Sequence, residues 1–194
     1  MRIISGTCRG RKLATIKGIS IRPTSDRVRE SIFNIIGQKV HGAQVLDLFA
    51  GTGAFGIESL SRGAQRALFV DISRKSCDII RHNIELCKLS DKSSVSQCDA
   101  SRSNLPEHII STQFDLIFID PPYERGFVGK VLENRALLQC LGPETLLILE
   151  HSVKENIPDK LEKLDIHDQR QYGKTLISFF RMSGSEDRHN SDFD

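Results

Sequence analysis

Beyond residue 40, apolar runs alternate with amphipathic segments, and this alternation constrains the fold more than any other feature of the 194-residue chain. Five apolar runs have the length and composition of buried strands: residues 45–49, 67–70, 94–97, 114–119 and 145–150. Four intervening segments are suited to helices: residues 54–62, 73–89, 104–110 and 127–141. The pattern predicts an α/β fold in which helices cover a parallel sheet.

The end of the chain departs from that alternation. Residues 164–172 and 175–181 flank Gly173-Lys174 and predict an antiparallel hairpin. A doubly wound dehydrogenase domain normally continues with parallel units, so the hairpin favours a different branch of this architecture. Gly63 and Gly142 fall where two of the predicted helices end, and we expect left-handed residues there.

The first 40 residues form a distinct block. Residues 2–5 and 11–14 are β-prone and predict a small hairpin, followed by a loop. Residues 26–36 have apolar side chains at helical spacing, with Thr24 or Ser25 available as the cap. We therefore divide the chain into an extension at 1–40, a main domain at 41–182 and a polar tail at 183–194, which we expect to be disordered.

Positive charge is concentrated in this extension. The chain has a formal net charge of +2, but residues 1–39 carry +7 and the remainder carries −5. A basic block on a neutral-to-acidic body is typical of a phosphate-binding face, where attraction does not depend on base sequence. A solvated surface without a ligand is the alternative.

Composition argues against several classes of protein. The apolar runs are far too short to span a membrane, and the amino terminus is too polar for a signal peptide, so we expect a cytoplasmic protein. The five cysteines include no CxxC pair and no histidine cluster at ligand spacing. We therefore expect reduced thiols, no disulfide framework and no metal site.

A glycine-rich turn follows the first strand of the main domain. Gly51, Gly53 and Gly56 lie between a predicted strand and a predicted helix, and Asp71 ends the next strand, where a carboxylate can bind ribose hydroxyls. A dinucleotide site predicts the same spacing. Asp47 favours S-adenosylmethionine, because a carboxylate repels a pyrophosphate but attracts the cationic amino-acid end of this cofactor.

The motif Asp120-Pro121-Pro122-Tyr123 ends the fourth predicted strand. Two consecutive prolines hold the chain extended and donate no backbone hydrogen bonds, so an acid, free carbonyls and a tyrosine project into one small space. The ring can stack on a nucleobase while the carboxylate and a carbonyl accept hydrogen bonds from an exocyclic amine. A chance acid and proline pair is the alternative, and the motif alone specifies only a planar amide or amine.

Both motifs resemble those of known enzymes. Asp47-Leu48-Phe49-Ala50-Gly51-Thr52-Gly53 resembles motif I of class I methyltransferases, and residues 120–123 resemble motif IV of those that methylate base amines or glutamine. The resemblance implies a Rossmann-like, seven-stranded, mostly parallel sheet that binds S-adenosylmethionine. It implies cofactor contacts from Asp47, Phe49, Gly51, Thr52, Gly53, Gly56, Asp71, Asp99 and Ala100. Asp99 can instead be a helix-capping or loop acid.

The basic extension is similar to one family in particular. The segments RIISG (2–6), RGRKL (9–13) and RPTSDRVRESIFN (22–34) resemble the start of the RsmD family, which methylates guanine N2 in 16S ribosomal RNA. The resemblance covers nearly the whole chain except the tail. It implies a monomeric enzyme that acts on 16S rRNA within an assembling small ribosomal subunit.

The same resemblance assigns residues to roles. Methyl transfer is expected at Asp120, Pro121, Pro122 and Tyr123. RNA contacts are expected from Arg2, Arg9, Arg11, Lys12, Arg22, Arg27 and Arg29, although Arg27 and Glu30 can instead simply pack the helix.

Three other functions stay open at the level of sequence. A DNA adenine-N6 or protein glutamine methyltransferase would share motif IV, but the amino-terminal block does not support it. A dehydrogenase would share the glycine turn but not residues 120–123. A catalytically silent RNA-binding module would keep the basic extension and tolerate the loss of Asp120.

Overall fold

The computed structural model describes residues 1–15, 25–102 and 105–184. Within these ranges seven strands form one sheet: β1 Gln44–Leu48, β2 Arg66–Asp71, β3 Ser93–Gln97, β4 Phe114–Ile119, β5 Leu141–Ser152, β6 Leu164–Tyr172 and β7 Thr175–Met182. Their order is β3-β2-β1-β4-β5-β7-β6. Strands β1 to β5 are parallel, and β7 is antiparallel to β5 and β6. The predicted mostly parallel sheet with a terminal hairpin is confirmed.

The described ranges contain six α-helices: α1 Asp26–Ile36, α2 Ala54–Ser61, α3 Arg74–Cys87, α4 Glu107–Ile110, α5 Phe127–Leu132 and α6 Arg135–Gln139. Helix α1 begins at its predicted residue because the Ser25 side chain accepts a hydrogen bond from the Val28 amide at 3.2 Å. Thr24, the other predicted cap, lies outside the described residues. No helix within these ranges is both long and apolar enough to cross a membrane.

Helices cover both faces of the sheet. Helices α1, α2 and α3 pack on one face, where the Phe118 ring lies 5.7 Å from that of Phe33 and 4.9 Å from that of Phe55. Helices α4, α5 and α6 pack on the other face, with Ile117 in their cluster. Because side chains alternate along a strand, β4 supplies both faces. Burial on both faces explains why the strands are near-continuous apolar runs.

The strand order reverses at β1. Strands β2 and β3 lie to one side of it, and β4 and β5 lie to the other. Leu48, the last residue of β1, pairs with Val70 of β2 and with Ile119 of β4. The segments that follow these three strands therefore meet at one edge of the sheet. In open α/β sheets this is where ligands bind.

Two predictions for the segment that follows β4 are wrong. The single helix expected over 127–141 is two helices, because Asn134 accepts hydrogen bonds from the amides of Ala136 and Leu137 and so caps a new helix. Gly142 is not a left-handed helix terminus. It lies within β5, and its amide donates to Thr145 Oγ1 at 2.7 Å. Gly63, with φ 102°, has the left-handed conformation expected after α2.

The predicted amino-terminal hairpin is present in minimal form. Arg2 and Lys12 form one antiparallel bridge, and Ile3 donates its amide hydrogen to the Arg11 carbonyl at 3.0 Å. Ile3 and Leu13 are buried in the same cluster as the residues of α2, so the hairpin packs on the first face. The division into extension, main domain and tail stays a prediction. Residues 185–194 of the tail, and the predicted start of a helix at 104, lie outside the described residues.

Candidate active site

The turn after β1 has an unusual backbone. Phe49 has φ 57°, a left-handed conformation that is uncommon for a residue with a side chain, and Gly53 has φ 77° immediately before α2. A Cβ at Gly56 would lie 2.3 Å from the Phe69 ring. Glycine at 53 therefore permits the turn, and glycine at 56 permits α2 to pack closely on β2.

Asp47 lies beneath this turn. Its side chain is only 1% exposed, and its Oδ2 accepts a hydrogen bond from the Gly56 amide at 2.9 Å. Burial raises the pKa of Asp47 to about 8, against the lowering effect of the Gly56 hydrogen bond, and the nearby Asp71 carboxylate raises it further. The carboxyl group is therefore largely protonated at neutral pH until a cation stabilises its charged form.

Asp71 joins the turn to the end of β2. Its Oδ2 accepts from the Gly51 amide at 2.9 Å, and its Oδ1 accepts from the Ser73 amide at 2.8 Å. The next residue, Ile72, is 61% exposed, which leaves a large apolar side chain at the edge where ligands bind. Ile72 was not among the predicted site residues. Its position directly after Asp71, at the end of a strand, could have suggested it.

The segment after β3 is organised by its own hydrogen bonds. Asp99 accepts from the amide and hydroxyl of Ser101, at 3.0 and 2.6 Å, and from Arg102 Nε at 3.1 Å. These contacts hold the pKa of Asp99 below its ordinary value, and the hydrogen bond from the Ser101 hydroxyl has the largest effect. Local hydrogen bonds of this kind are typical of a loop acid, and a cofactor contact at Asp99 stays a prediction. Asn134, which sequence reasoning missed, binds this segment through the carbonyls of Ala100 and Arg102 at 3.2 and 2.9 Å.

The motif after β4 lies at the same edge. Asp120 and Tyr123 are half-buried, Pro121 is buried and Pro122 is exposed. The Tyr123 hydroxyl donates to Glu150 Oε1 at 2.7 Å. Burial raises the pKa of Tyr123 well above its ordinary value, and the Glu150 carboxylate adds a smaller effect in the same direction. The tyrosine is therefore a neutral hydrogen-bond donor near neutral pH.

An aromatic contact joins the two motifs. Phe49, in the turn after β1, has its ring centroid 5.7 Å from that of Phe127, the first residue of α5. Since α5 follows the loop that carries residues 120–123, this contact packs the glycine turn against the helix that comes directly after the acidic motif. The predicted cofactor turn and the predicted catalytic motif are thus brought together, while ligand contacts at these residues stay a prediction.

Most of the predicted RNA-binding residues are exposed in the described structure. Arg2, Arg9, Arg11 and Lys12 lie in the exposed hairpin, and Arg27 lies on the outer side of α1. Arg11 also donates from Nη1 to the Leu86 carbonyl of α3. Arg22 lies outside the described residues.

The predicted RNA contact of Arg29 is wrong, because this side chain is 0% exposed and RNA cannot reach it in this structure. Helical spacing places it on the inward face of α1 with the apolar residues that pack there. Its Nη2 donates to the Arg2 carbonyl and to Asp26 Oδ1, and its Nε lies 3.9 Å from Glu58 Oε2. Burial lowers its pKa, against the raising effect of these two acids.

Two buried polar residues that the sequence did not single out attach the hairpin to the main domain. Glu58 of α2 accepts from the amides of Ile4 and Ser5 at 2.7 and 3.0 Å. Asn83 of α3 donates to the carbonyls of Ala14 and Thr52, at 3.1 and 2.9 Å. Asn83 therefore connects the basic extension directly to the glycine turn.

Comparison with known proteins extends over nearly the whole chain. The putative rRNA methyltransferase YlbH of Bacillus subtilis (strain 168) is 36% identical over 184 residues, which cover 95% of this chain and 100% of that protein. Ribosomal RNA small subunit methyltransferase D of Escherichia coli (strain K12) is 31% identical over 196 residues, covering 100% of this chain and 94% of its own.

A solved structure and a family model agree with these relatives. The putative methyltransferase yhhF from Escherichia coli superposes with a TM-score of 0.76 at 30% identity, covering 94% of this chain and 97% of that one. This likeness confirms the predicted Rossmann-like methyltransferase fold. The model of the family described as Conserved hypothetical protein 95 matches residues 1–181. The chain therefore belongs to that family, which is the RsmD family.

Proposed function

We propose that this chain is an S-adenosylmethionine-dependent methyltransferase that modifies N2 of a guanine in 16S ribosomal RNA. One observation carries the proposal: the glycine turn and residues 120–123 follow adjacent parallel strands, and Phe49 of the turn contacts Phe127 in the helix after the motif. A site for a bound cofactor thereby lies beside a site for a planar amine. No feature of a dehydrogenase accounts for the second site.

The residues around the turn fit the cofactor. Asp47 is a buried acid whose charged form needs a nearby cation, and the amino-acid end of S-adenosylmethionine carries one. Asp71 retains lone pairs that can accept from ribose hydroxyls, and the exposed Ile72 offers apolar surface to an adenine ring. When bound, the cofactor supplies an electrophilic methyl group.

The acidic motif is suited to hold the acceptor amine. Asp120 and the Pro121 carbonyl can accept its two hydrogens, which favours the more tetrahedral nitrogen that develops as the amine attacks. Stacking on Tyr123 would contribute about 1–3 kcal/mol to binding of the base. Fixing the amine in line with the methyl group can lower the barrier by about 7–11 kcal/mol.

Basic residues are placed to attract the RNA. The hydroxyls of Ser31 and Tyr172 are hydrogen-bonded, so the first half of α1 lies near the end of β6. Tyr172 pairs with Thr175, whose hydroxyl lies 3.2 Å from the hydroxyl of Tyr123. Arg27, one turn before Ser31, is therefore near the catalytic edge, and the exposed hairpin cations extend the positive surface.

The choice of guanine in 16S rRNA is supported by the relatives rather than by the pocket. The Escherichia coli relative is a small-subunit rRNA methyltransferase, and the family match includes the basic extension. A DNA adenine-N6 or protein glutamine methyltransferase would need the same acidic motif. The extension disfavours a protein substrate, because its cations suit a polyanion.

A methyl-transfer assay tests this function. Purified protein, labelled S-adenosylmethionine and 16S rRNA fragments are expected to give labelled N2-methylguanosine. Replacing the target guanosine with inosine, which lacks only the N2 amine, should abolish labelling. Asp120→Ala should abolish turnover while RNA binding persists, and Asp159→Ala, at an exposed position, should leave turnover unchanged. Labelling of inosine RNA would refute N2 as the acceptor.

A further inference from the structure

Glu150 is a carboxylate at the end of an apolar stretch of β5. Residues 146–149 are buried and apolar, and Glu150 itself is only 6% exposed. Burial of a carboxylate is unfavourable unless hydrogen bonds compensate for its lost hydration. Because Leu149 pairs with Ile119, Glu150 stands beside Asp120, where β5 and β4 reach the catalytic edge.

The hydroxyl of Tyr123 is held from two strands. It donates to Glu150 Oε1 at 2.7 Å, and it lies 3.2 Å from Oγ1 of Thr175, the first residue of β7. A phenol has one proton and can also accept hydrogen bonds. Since that proton is directed to the carboxylate, the Thr175 hydroxyl is the donor in the second contact. The far end of the ring is thus tied to β5 and β7.

These contacts constrain the part of Tyr123 that faces a base. Rotation of the ring about its long axis leaves the hydroxyl in place, so two contacts at the hydroxyl fix the direction of that axis. The backbone of Tyr123 is held by the prolines before it. A ring whose axis is fixed at both ends stays at one place beside the catalytic edge, where a base can stack on its face.

We propose that Glu150 and Thr175 are positioning residues for methyl transfer, which hold the Tyr123 ring so that the amine of the stacked base stays beside Asp120. The inference rests on the proposed function, in which Tyr123 stacks on the acceptor base. A purely structural role, in which the contacts only fasten the loop to the sheet, predicts lower stability without a selective loss of kcat.

Spectroscopy tests the contact without RNA. The chain has two tyrosines and no tryptophan, so Tyr172→Phe leaves Tyr123 as the only phenol. In that background, the near-ultraviolet absorption of the folded protein at neutral pH reports the hydrogen bond that the Tyr123 hydroxyl donates. Glu150→Gln should shift this absorption to shorter wavelength, because it replaces the charged acceptor with a neutral one. Glu144→Gln, at an exposed position on the same strand, is the control and should not shift it.

Kinetics test the positioning role. Glu150→Leu, which removes the acceptor, should lower kcat by about 10- to 100-fold, as expected for a small misplacement of the reacting groups. The KM for S-adenosylmethionine and the melting temperature should change little. Glu150→Gln keeps an oxygen acceptor and should restore most of the activity. Tyr123→Phe should show a similar loss, and adding it to Glu150→Leu should cause little further loss.

The outcomes separate this inference from the proposed function. Full turnover in Glu150→Leu, or additive losses in the double variant, would overturn the positioning role. If Glu150→Leu does not fold, Thr175→Val and its conservative counterpart Thr175→Ser test the same contact, and equal turnover in both overturns it. If the unaltered protein methylates no guanine, the proposed function fails. The absorption measurement still decides the contact, since an unchanged spectrum in Glu150→Gln refutes it.

Discussion

Replacing Asp47 with asparagine should remove a titration from the folded protein. The pKa of Asp47 rises from 3.8 to about 8 on folding, mainly because the carboxyl group is buried. Each pKa unit corresponds to about 1.4 kcal/mol, so the ionised carboxylate costs the folded state on the order of 6 kcal/mol. Because the folded-state pKa is the higher one, the protonated group stabilises the fold fully below pH 4. That contribution is lost as the pH rises towards 8.

Urea unfolding across this pH range measures the effect. Other carboxylates titrate as well, so the informative quantity is the free energy of unfolding of Asp47→Asn minus that of the unaltered protein. It should rise steadily from pH 5 to pH 8, by several kcal/mol. The matched control Asp159→Asn, at an exposed site, should show a flat difference. A flat difference for Asp47→Asn would refute the reasoning.

The same titration predicts proton release on cofactor binding. If the cationic end of S-adenosylmethionine lies near Asp47, binding at pH 7 converts the protonated acid to its carboxylate. Calorimetry in two buffers of different ionisation enthalpy should then show released protons for the unaltered protein and none for Asp47→Asn. Equal proton release in both proteins would show that Asp47 does not respond to the ligand.

Three further substitutions test the packing around the site. Gly56→Ala should lower the free energy of unfolding by about 1–3 kcal/mol, because its Cβ would meet the Phe69 ring at 2.3 Å; urea unfolding measures this. Glu58→Gln should cost about 3–5 kcal/mol, because it leaves the charge of the buried Arg29 poorly compensated, and it should speed proteolysis of the hairpin. Asn134→Ala should lower the melting temperature and weaken cofactor binding in calorimetry, because the segment after β3 loses its two side-chain bonds.

Matched controls accompany these substitutions. Gly129→Ala has room beside Pro158, with the nearest atom at 3.6 Å, and should be neutral or stabilising. Glu85→Gln and Asn156→Ala change exposed residues and should behave like the unaltered protein. Equal effects in a variant and its control would contradict the packing argument for that position. Unchanged cofactor affinity in Asn134→Ala would show that the segment after β3 does not hold the cofactor.

The sheet could be predicted from sequence because its strands are buried on both faces and separated by amphipathic helices. Local chemistry also located the start of α1, since Ser25 precedes an apolar helical pattern and caps it. Asn134 was overlooked because one polar residue in a helical pattern usually marks an exposed side. Its capping hydrogen bonds, which break the predicted helix, depend on the local backbone.

Long-range partners lay beyond the sequence pattern. Glu58 accepts hydrogen bonds from the amino-terminal hairpin, and Glu150 of β5 accepts one from Tyr123 in the loop after β4. In both cases the two partners are far apart in the sequence. Arg29 is instructive, because the family resemblance assigned it to RNA binding, whereas helical spacing puts it on the inward face of α1. The structure agrees with the helical spacing: Arg29 is buried, and Asp26 of α1 and Glu58 of α2 lie beside its guanidinium.

The most direct test of the central claim is a map of methylated nucleosides in 16S rRNA by mass spectrometry. Cells that lack this protein are compared with cells complemented by the unaltered protein or by Asp120→Ala. We predict that one N2-methylguanosine is absent without the protein, returns with the unaltered chain and does not return with the variant. The same N2-methylguanosine content in all three strains would contradict the account.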